Sequence, residues 1–158
     1  MKGYHHQPEL TAEAIDSDGW FHTGDIARID SQGRVYITGR IKNMIVLSGG
    51  KKVFPEEVEA VLEKSSMFAE LCVFGVSREG GAKDGTEDIA VVVVPADLVK
   101  EKYSGEELEE VMRSEVKRLS KQLAPYKRPI NITVLNQALP RTATRKVQRK
   151  KVKELIQA

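Results

Sequence analysis

The stretch MIVLSGGKKVFPEEVEAVLEK, residues 44–64, changes its period halfway along. MIVLS is a short apolar run of strand character. Ser48-Gly49-Gly50-Lys51-Lys52 breaks that run as a glycine turn. From Pro55 the pattern is helical. Proline suits the first helical turn, and Val58, Val61 and Leu62 recur at helical spacing.

Working outward toward the C-terminus, LCVFGV (71–76) and IAVVVVP (89–95) are buried-strand candidates. The glycine-rich segment SREGGAKDGTED (77–88) separates them. Ser104 with Glu107 reads as a capping box. The helix after it places Leu108, Val111, Met112, Val116, Leu119 and Leu123 on one face. LAPYKRP (123–129) ends it, because Pro125 and Pro129 resist helix. ITVL (132–135) is another short strand. Residues 149–157 are helical by propensity, with Val152, Leu155 and Ile156 as the apolar side.

Toward the N-terminus, IARID and RVYITG alternate around Ser31-Gln32-Gly33, which is a hairpin signal. Residues 1–19 read as loop with one helical turn at Glu9–Ile15. GRIKN (39–43) is the boundary candidate. Beyond it the order is β, α, β, β, α, β, α, without strict alternation. The expected class is α+β: a small β-sheet covered by helices, preceded by a β-hairpin.

The 158 residues suffice for one ordinary domain, and 41% hydrophobic with 30% charged residues reads as globular. No apolar run approaches the roughly 20 residues that span a membrane. Residues 1–20 lack the apolar core of a signal peptide, so a cytoplasmic compartment is expected. Cys72 is the single cysteine and lies in an apolar run, where it reads as a buried structural thiol. Three histidines and one cysteine give no metal-ligand pattern, so no metal site is expected. The net charge of +2 conceals an asymmetry. Residues 141–158 carry seven Lys/Arg and one acid, hence +6, on a body of −4. Such a tail suits an anionic partner.

Three places could carry chemistry. The basic tail reads as a solvated face, a nucleic-acid grip, or a loop that sets one lysine. It contains no aromatic residue to stack on bases, which argues against nucleic acid. In GWFHTGDIA (19–27), Asp25 either bonds its own turn or accepts from two adjacent hydroxyls, as on a ribose. In SGGKK (48–52), two glycines make a tight turn or let backbone approach a slender ligand. No G-x-x-x-x-G-K-[ST] phosphate loop occurs.

Taken in order, several pieces carry a resemblance. They are Gly3-Tyr4 with Pro8, Glu9 and Thr11; GWFHTGD; GRIKNMIVLSGGKKVFPEEVE; LAPYKRP; and LPRTATRKVQR (139–149). Together they resemble the C-terminal third of an AMP-forming acyl-CoA synthetase of the adenylate-forming superfamily, most closely the long-chain fatty-acid branch. The resemblance covers nearly the whole chain. It implies a two-step reaction. ATP and a carboxylic acid give an acyl-adenylate and pyrophosphate, and CoA then takes the acyl group and releases AMP. Mg²⁺ is expected from the family.

The resemblance also implies site roles. Lys146 supports adenylation, Asp25 holds the ribose hydroxyls, and Arg40 approaches the nucleotide. Lys42 is the hinge. Ser48, Gly49, Gly50 and Lys51 line the CoA pantetheine tunnel. A lysine is a cation at neutral pH. Between a carboxylate oxygen and an α-phosphate it offsets their repulsion, which is electrostatic positioning and not proton transfer.

In the family a glycine usually stands before this lysine, where this chain has Arg145. If that position needs φ > 0, Arg costs strain of order ~1 kcal/mol. Residues 1–40 are expected to be the end of a large N-terminal domain, and 41–158 a mobile C-terminal domain. Met1 fits the family's Met before x-G-Y, so the chain is expected to be a fragment, inactive without its N-terminal domain. The alternatives are an adenylation domain for another acid or for a carrier protein, and a non-catalytic module binding nucleic acid or another anion through the tail.

Overall fold

The computed structural model describes residues 1–77 and 86–157. Two compact units divide the chain, Met1–Lys42 and Asn43–Ala158.

In the first unit α1 spans Pro8–Ala14. The hairpin pairs β1 (Asp25–Ile29) with β2 (Val35–Arg40) antiparallel, with an irregularity between Ile26 and Ala27. Its turn is organised by Asp30. Oδ1 accepts from the backbone N–H groups of Gln32 and Arg34, at 2.9 and 3.0 Å. Oδ2 accepts from Arg34 Nε and the Tyr36 hydroxyl, at 2.7 and 3.1 Å. A side chain that satisfies the turn backbone is what makes Asp a turn residue. The Arg34 hydrogen bonds hold this carboxyl below the ordinary carboxylate range. Gly33 closes the turn at φ 78°.

In the second unit β3 (Ile45–Val46) pairs with β4 (Lys52–Val53) across the glycine turn. The MIVLS strand is therefore real but only two residues long. Helix α2 (Pro55–Leu62) follows at the expected place. A three-stranded sheet has the order β5 (Phe68–Ser77), β6 (Glu87–Pro95), β7 (Asn131–Val134). β5 and β6 are antiparallel; β6 and β7 are parallel. A parallel pair needs a crossover. Helices α3 (Asp97–Lys102) and α4 (Gly105–Ser120) provide it. The separating segment expected over 77–88 lies, for residues 78–85, outside the described residues.

The unbroken apolar run of β6 is explained by burial on both faces. Ile89, Val91 and Val93 pack with Val58, Leu62, Met112 and Val116 of α2 and α4. Ala90, Val92 and Val94 face the other way, with Cys72, Phe74, Leu139 and Val152. Val152 belongs to α5 (Arg149–Gln157). The α+β architecture of a small sheet covered by helices is therefore present. Burial pushes the Cys72 thiol up to about 12, as suits a structural cysteine.

Two local expectations change, and one helix was not expected. Ser104 occupies the N-cap of α4, but its side chain makes no capping bond. Helix α3 had no strong periodic signal, being only six residues long. Leu155, placed on the apolar side of α5, is 40% exposed; Val152 and Ile156 carry that packing.

Candidate functional site

In the hairpin, Asp25 opens β1 and faces Arg40 at the end of β2. Arg40 Nε lies 2.8 Å from Asp25 Oδ1. The two positions expected to meet a nucleotide thus form one cross-strand ion pair. The Thr23 hydroxyl accepts from Asp25 N–H at 3.1 Å. Gly24 takes φ 72°, and its carbonyl accepts from Ile41 N–H. Lys42 follows in a single 3-10 turn, Ile41–Asn43, and is exposed. The boundary between the two compact units falls immediately after it.

In the second unit, Ser48, Gly49 and Gly50 form the exposed tip between β3 and β4. Gly49 and Gly50 take φ 90° and 78°, a conformation that side chains resist. A Cβ at either glycine would meet nothing within 4 Å, so the turn, and not crowding, demands glycine. Lys51 leaves this turn with its ammonium 4.3 Å from the Tyr126 ring centroid. That cation–π contact brings LAPYKRP beside the glycine turn. A cleft of about 240 Å³ lies here, lined by Leu47, Ser48, Lys51, Tyr126 and Arg128 among others. Lys127 bonds Glu57 of α2 and so ties the same segment down. Tyr126 stands in LAPYKRP with no role readable from sequence; its contact with Lys51 spans 75 residues and leaves no local periodicity.

The loop carrying Lys146 is tightly tied. Residues Arg141 and Val147 form a bridge. Thr142 N–H donates to the Lys146 carbonyl at 2.8 Å, and Lys146 N–H donates to Thr142 Oγ1 at 3.1 Å. Arg145 N–H donates to the Thr142 carbonyl at 2.9 Å, and Thr142 and Thr144 share a hydroxyl contact of 2.9 Å. Arg145 takes φ 63°, so the position before Lys146, where the resemblance led to an expected glycine, is left-handed here. Among the described residues, the exposed Lys146 ammonium has no hydrogen bond or ion pair.

Three other tail cations are engaged, while the side chains of Arg145, Lys150 and Lys151, like that of Lys146, make no hydrogen bond or ion pair among the described residues. Arg141 reaches Glu70, Arg149 reaches Glu59 and Glu56, and Lys153 donates to the Gly75 carbonyl. These partners were invisible while the tail was counted as a single charge run. Among the described residues, no group of three His, Cys, Asp or Glu side chains could hold a metal ion. Nor is any helix of these residues long and apolar enough to cross a membrane.

The AMP-binding enzyme C-terminal domain family matches residues 57–146. A medium-chain fatty-acid–CoA ligase of Escherichia coli is 37% identical over 147 residues, covering 93% of this chain and 24% of the ligase. A 2-succinylbenzoate–CoA ligase of Geobacillus is 38% identical over 158 residues, covering 98% of this chain and 28% of that ligase. Among solved structures, one similar fold is the A domain of carboxylic acid reductase from Segniliparus rugosus, in complex with AMP and a co-purified carboxylic acid. It has a TM-score of 0.83 at 26% identity and covers 98% of this chain and 25% of that one. The chain thus spans about a quarter of the length of these relatives. By sequence and by fold, it belongs to the AMP-binding enzyme C-terminal domain family of adenylate-forming enzymes, whose matched relatives include acid–CoA ligases.

Proposed function

We propose that this chain is the mobile C-terminal part of an AMP-forming acid–CoA ligase that activates a fatty acid, of the long-chain branch. The observation that carries the reading is the contrast at Lys146. Its loop backbone is held by hydrogen bonds on several sides, while its ammonium is exposed and free of partners among the described residues. A fixed backbone with an unspent cation suits a group that meets an anion supplied from elsewhere. That anion is the α-phosphate of ATP together with the attacking carboxylate.

Asp25 accepts the ribose hydroxyls, and Arg40 holds Asp25 while approaching the nucleotide. Residues 1–40 are the end of the large N-terminal domain, and 41–158 form the part that turns about Lys42. In the second orientation Ser48, Gly49, Gly50 and Lys51 border the path of the CoA pantetheine. The open space around both glycines supports close passage of a thin ligand. The fatty acid is favoured by the resemblance of GRIKNMIVLSGGKKVFPEE to the long-chain branch and by the Escherichia coli relative, a medium-chain fatty-acid–CoA ligase. The acid pocket belongs to the large N-terminal portion.

Two measurements test this. The 158-residue chain alone is expected to give no acid-dependent ATP–pyrophosphate exchange, and exchange above background contradicts the reading. With the N-terminal portion joined, a panel of carboxylic acids is expected to give the fastest exchange with long fatty acids. Exchange confined to aromatic or short acids overturns the fatty-acid assignment.

A further inference from the structure

We propose that Arg141 and Glu70 are a positioning pair for Lys146, carrying the rigidity of the central sheet into the adenylation loop. The inference rests on the role of Lys146 proposed above and adds residues to it.

The geometry is a relay. Glu70 lies on β5, and its Oε2 accepts from the N–H of the buried Leu139 at 3.1 Å. The same oxygen lies 3.2 Å from Nη2 of Arg141. Nη1 of Arg141 donates to the Arg145 carbonyl at 2.7 Å. That carbonyl is part of the peptide that leads into Lys146. One planar guanidinium therefore bridges a strand carboxylate and the backbone immediately before the lysine. Arginine suits this task because its donors lie in a rigid fork.

The bridge has something specific to hold. Arg145 at φ 63° is a left-handed non-glycine residue, a conformation that costs energy and survives only where neighbours over-determine it. The Arg141 bond to the Arg145 carbonyl opposes rotation of that strained peptide. The far end of the loop is fixed separately. Arg149, three residues beyond Lys146, donates from Nε to the Val73 carbonyl of β5 at 3.2 Å. Both ends of the loop thus return to the same strand. Arg141 differs from Arg149 in being the more exposed, so its removal leaves the core intact.

The test uses the full-length ligase that carries this chain. Arg141→Ala, Lys146→Ala and the double variant are compared in two assays: acid-dependent ATP–pyrophosphate exchange, and thioester formation from supplied acyl-adenylate. A displacement of about 1 Å at a catalytic group costs up to roughly 100-fold. Arg141→Ala is expected to lower exchange by about 10- to 100-fold, and to leave thioester formation nearly unchanged. In the Lys146→Ala background it is expected to cost nothing further in exchange, because the group it positions is gone. Equal losses in both assays, or the same loss of exchange with and without Lys146, would overturn the positioning role. If Lys146→Ala itself leaves exchange intact, the underlying reading of Lys146 fails instead. Glu70→Gln keeps the acceptor for Leu139 and removes the charge. It is expected to show the same exchange-specific loss, and a variant that folds and exchanges normally would also overturn the relay.

Discussion

Arg149 Nη2 lies 2.5 Å from Glu59 Oε2 and joins the first turn of α5 to α2. The same Glu59 accepts from Val73 N–H through Oε1 at 2.9 Å, while Arg149 Nε donates to the Val73 carbonyl. β5 is an edge strand, and Val73 turns both backbone groups outward. A bare edge leaves such groups unpaired and open to aggregation. Here a carboxylate and a guanidinium close it.

Burial pushes the Glu59 carboxyl above the ordinary carboxylate value, while Arg149 opposes that shift. Within the window between those two values, the folded chain holds a proton that the unfolded chain has released. Glu59's contribution is therefore fully present below the ordinary value and is lost as pH rises through the raised one. Arg149→Ala removes the main opposing charge, so Glu59 should titrate still higher and the loss should deepen. Carboxyl NMR titration and urea denaturation between about pH 4 and pH 8 check this. A Glu59 titration that moves down in the variant contradicts the arrangement.

Arg145 gives a second prediction. A left-handed non-glycine residue costs about 1–2 kcal/mol, and glycine escapes that cost at some entropic expense. Arg145→Gly should therefore stabilise the chain by about 1 kcal/mol or less. The urea midpoint should rise with an unchanged slope. Arg145→Val should lower it, because a β-branched residue resists this φ more strongly. A lower midpoint for the glycine variant would show that the Arg145 side chain contributes more than its backbone costs.

The elements most legible in the sequence were those with a long period. Helix α4 announced itself through Leu108, Met112, Val116 and Leu119, all of them buried. The β6 run IAVVVV announced a buried strand, and the structure buries it on both faces. The short β3 and β4 were less visible, since two paired residues carry no period. The parallel pairing of β6 with β7 depends on a crossover that local pattern does not encode. The glycine turn was legible in its sequence, and Lys146 was singled out by its motif alone. Their supports were not. Glu59 meets Arg149 across 90 residues, and Glu70 meets Leu139 across 69. Nothing local marks such pairs, so Arg141 and Arg149 read only as charge.

Lys42 is exposed and sits where the two compact units divide. As the proposed hinge, it must change its backbone angles between the two half-reactions. Proline fixes φ near −65° and permits fewer such states. Lys42→Pro in the full-length enzyme should separate the half-reactions, impairing one by about 10-fold or more while sparing the other. Pre-steady-state measurement of adenylate formation and of thioester formation reads this directly. Unchanged rates for both steps place the hinge elsewhere.

The proposed role of Lys146 is tested most directly by Lys146→Ala in the proposed full-length ligase, with the two half-reactions measured separately. Removing one preorganised charge from a developing anion costs roughly 10²–10³ in rate. Acid-dependent ATP–pyrophosphate exchange should fall by that factor, while thioester formation from supplied acyl-adenylate and CoA should continue near the parent rate. Equal loss in both half-reactions, or exchange that survives the substitution, would contradict the assignment of this lysine to the first step.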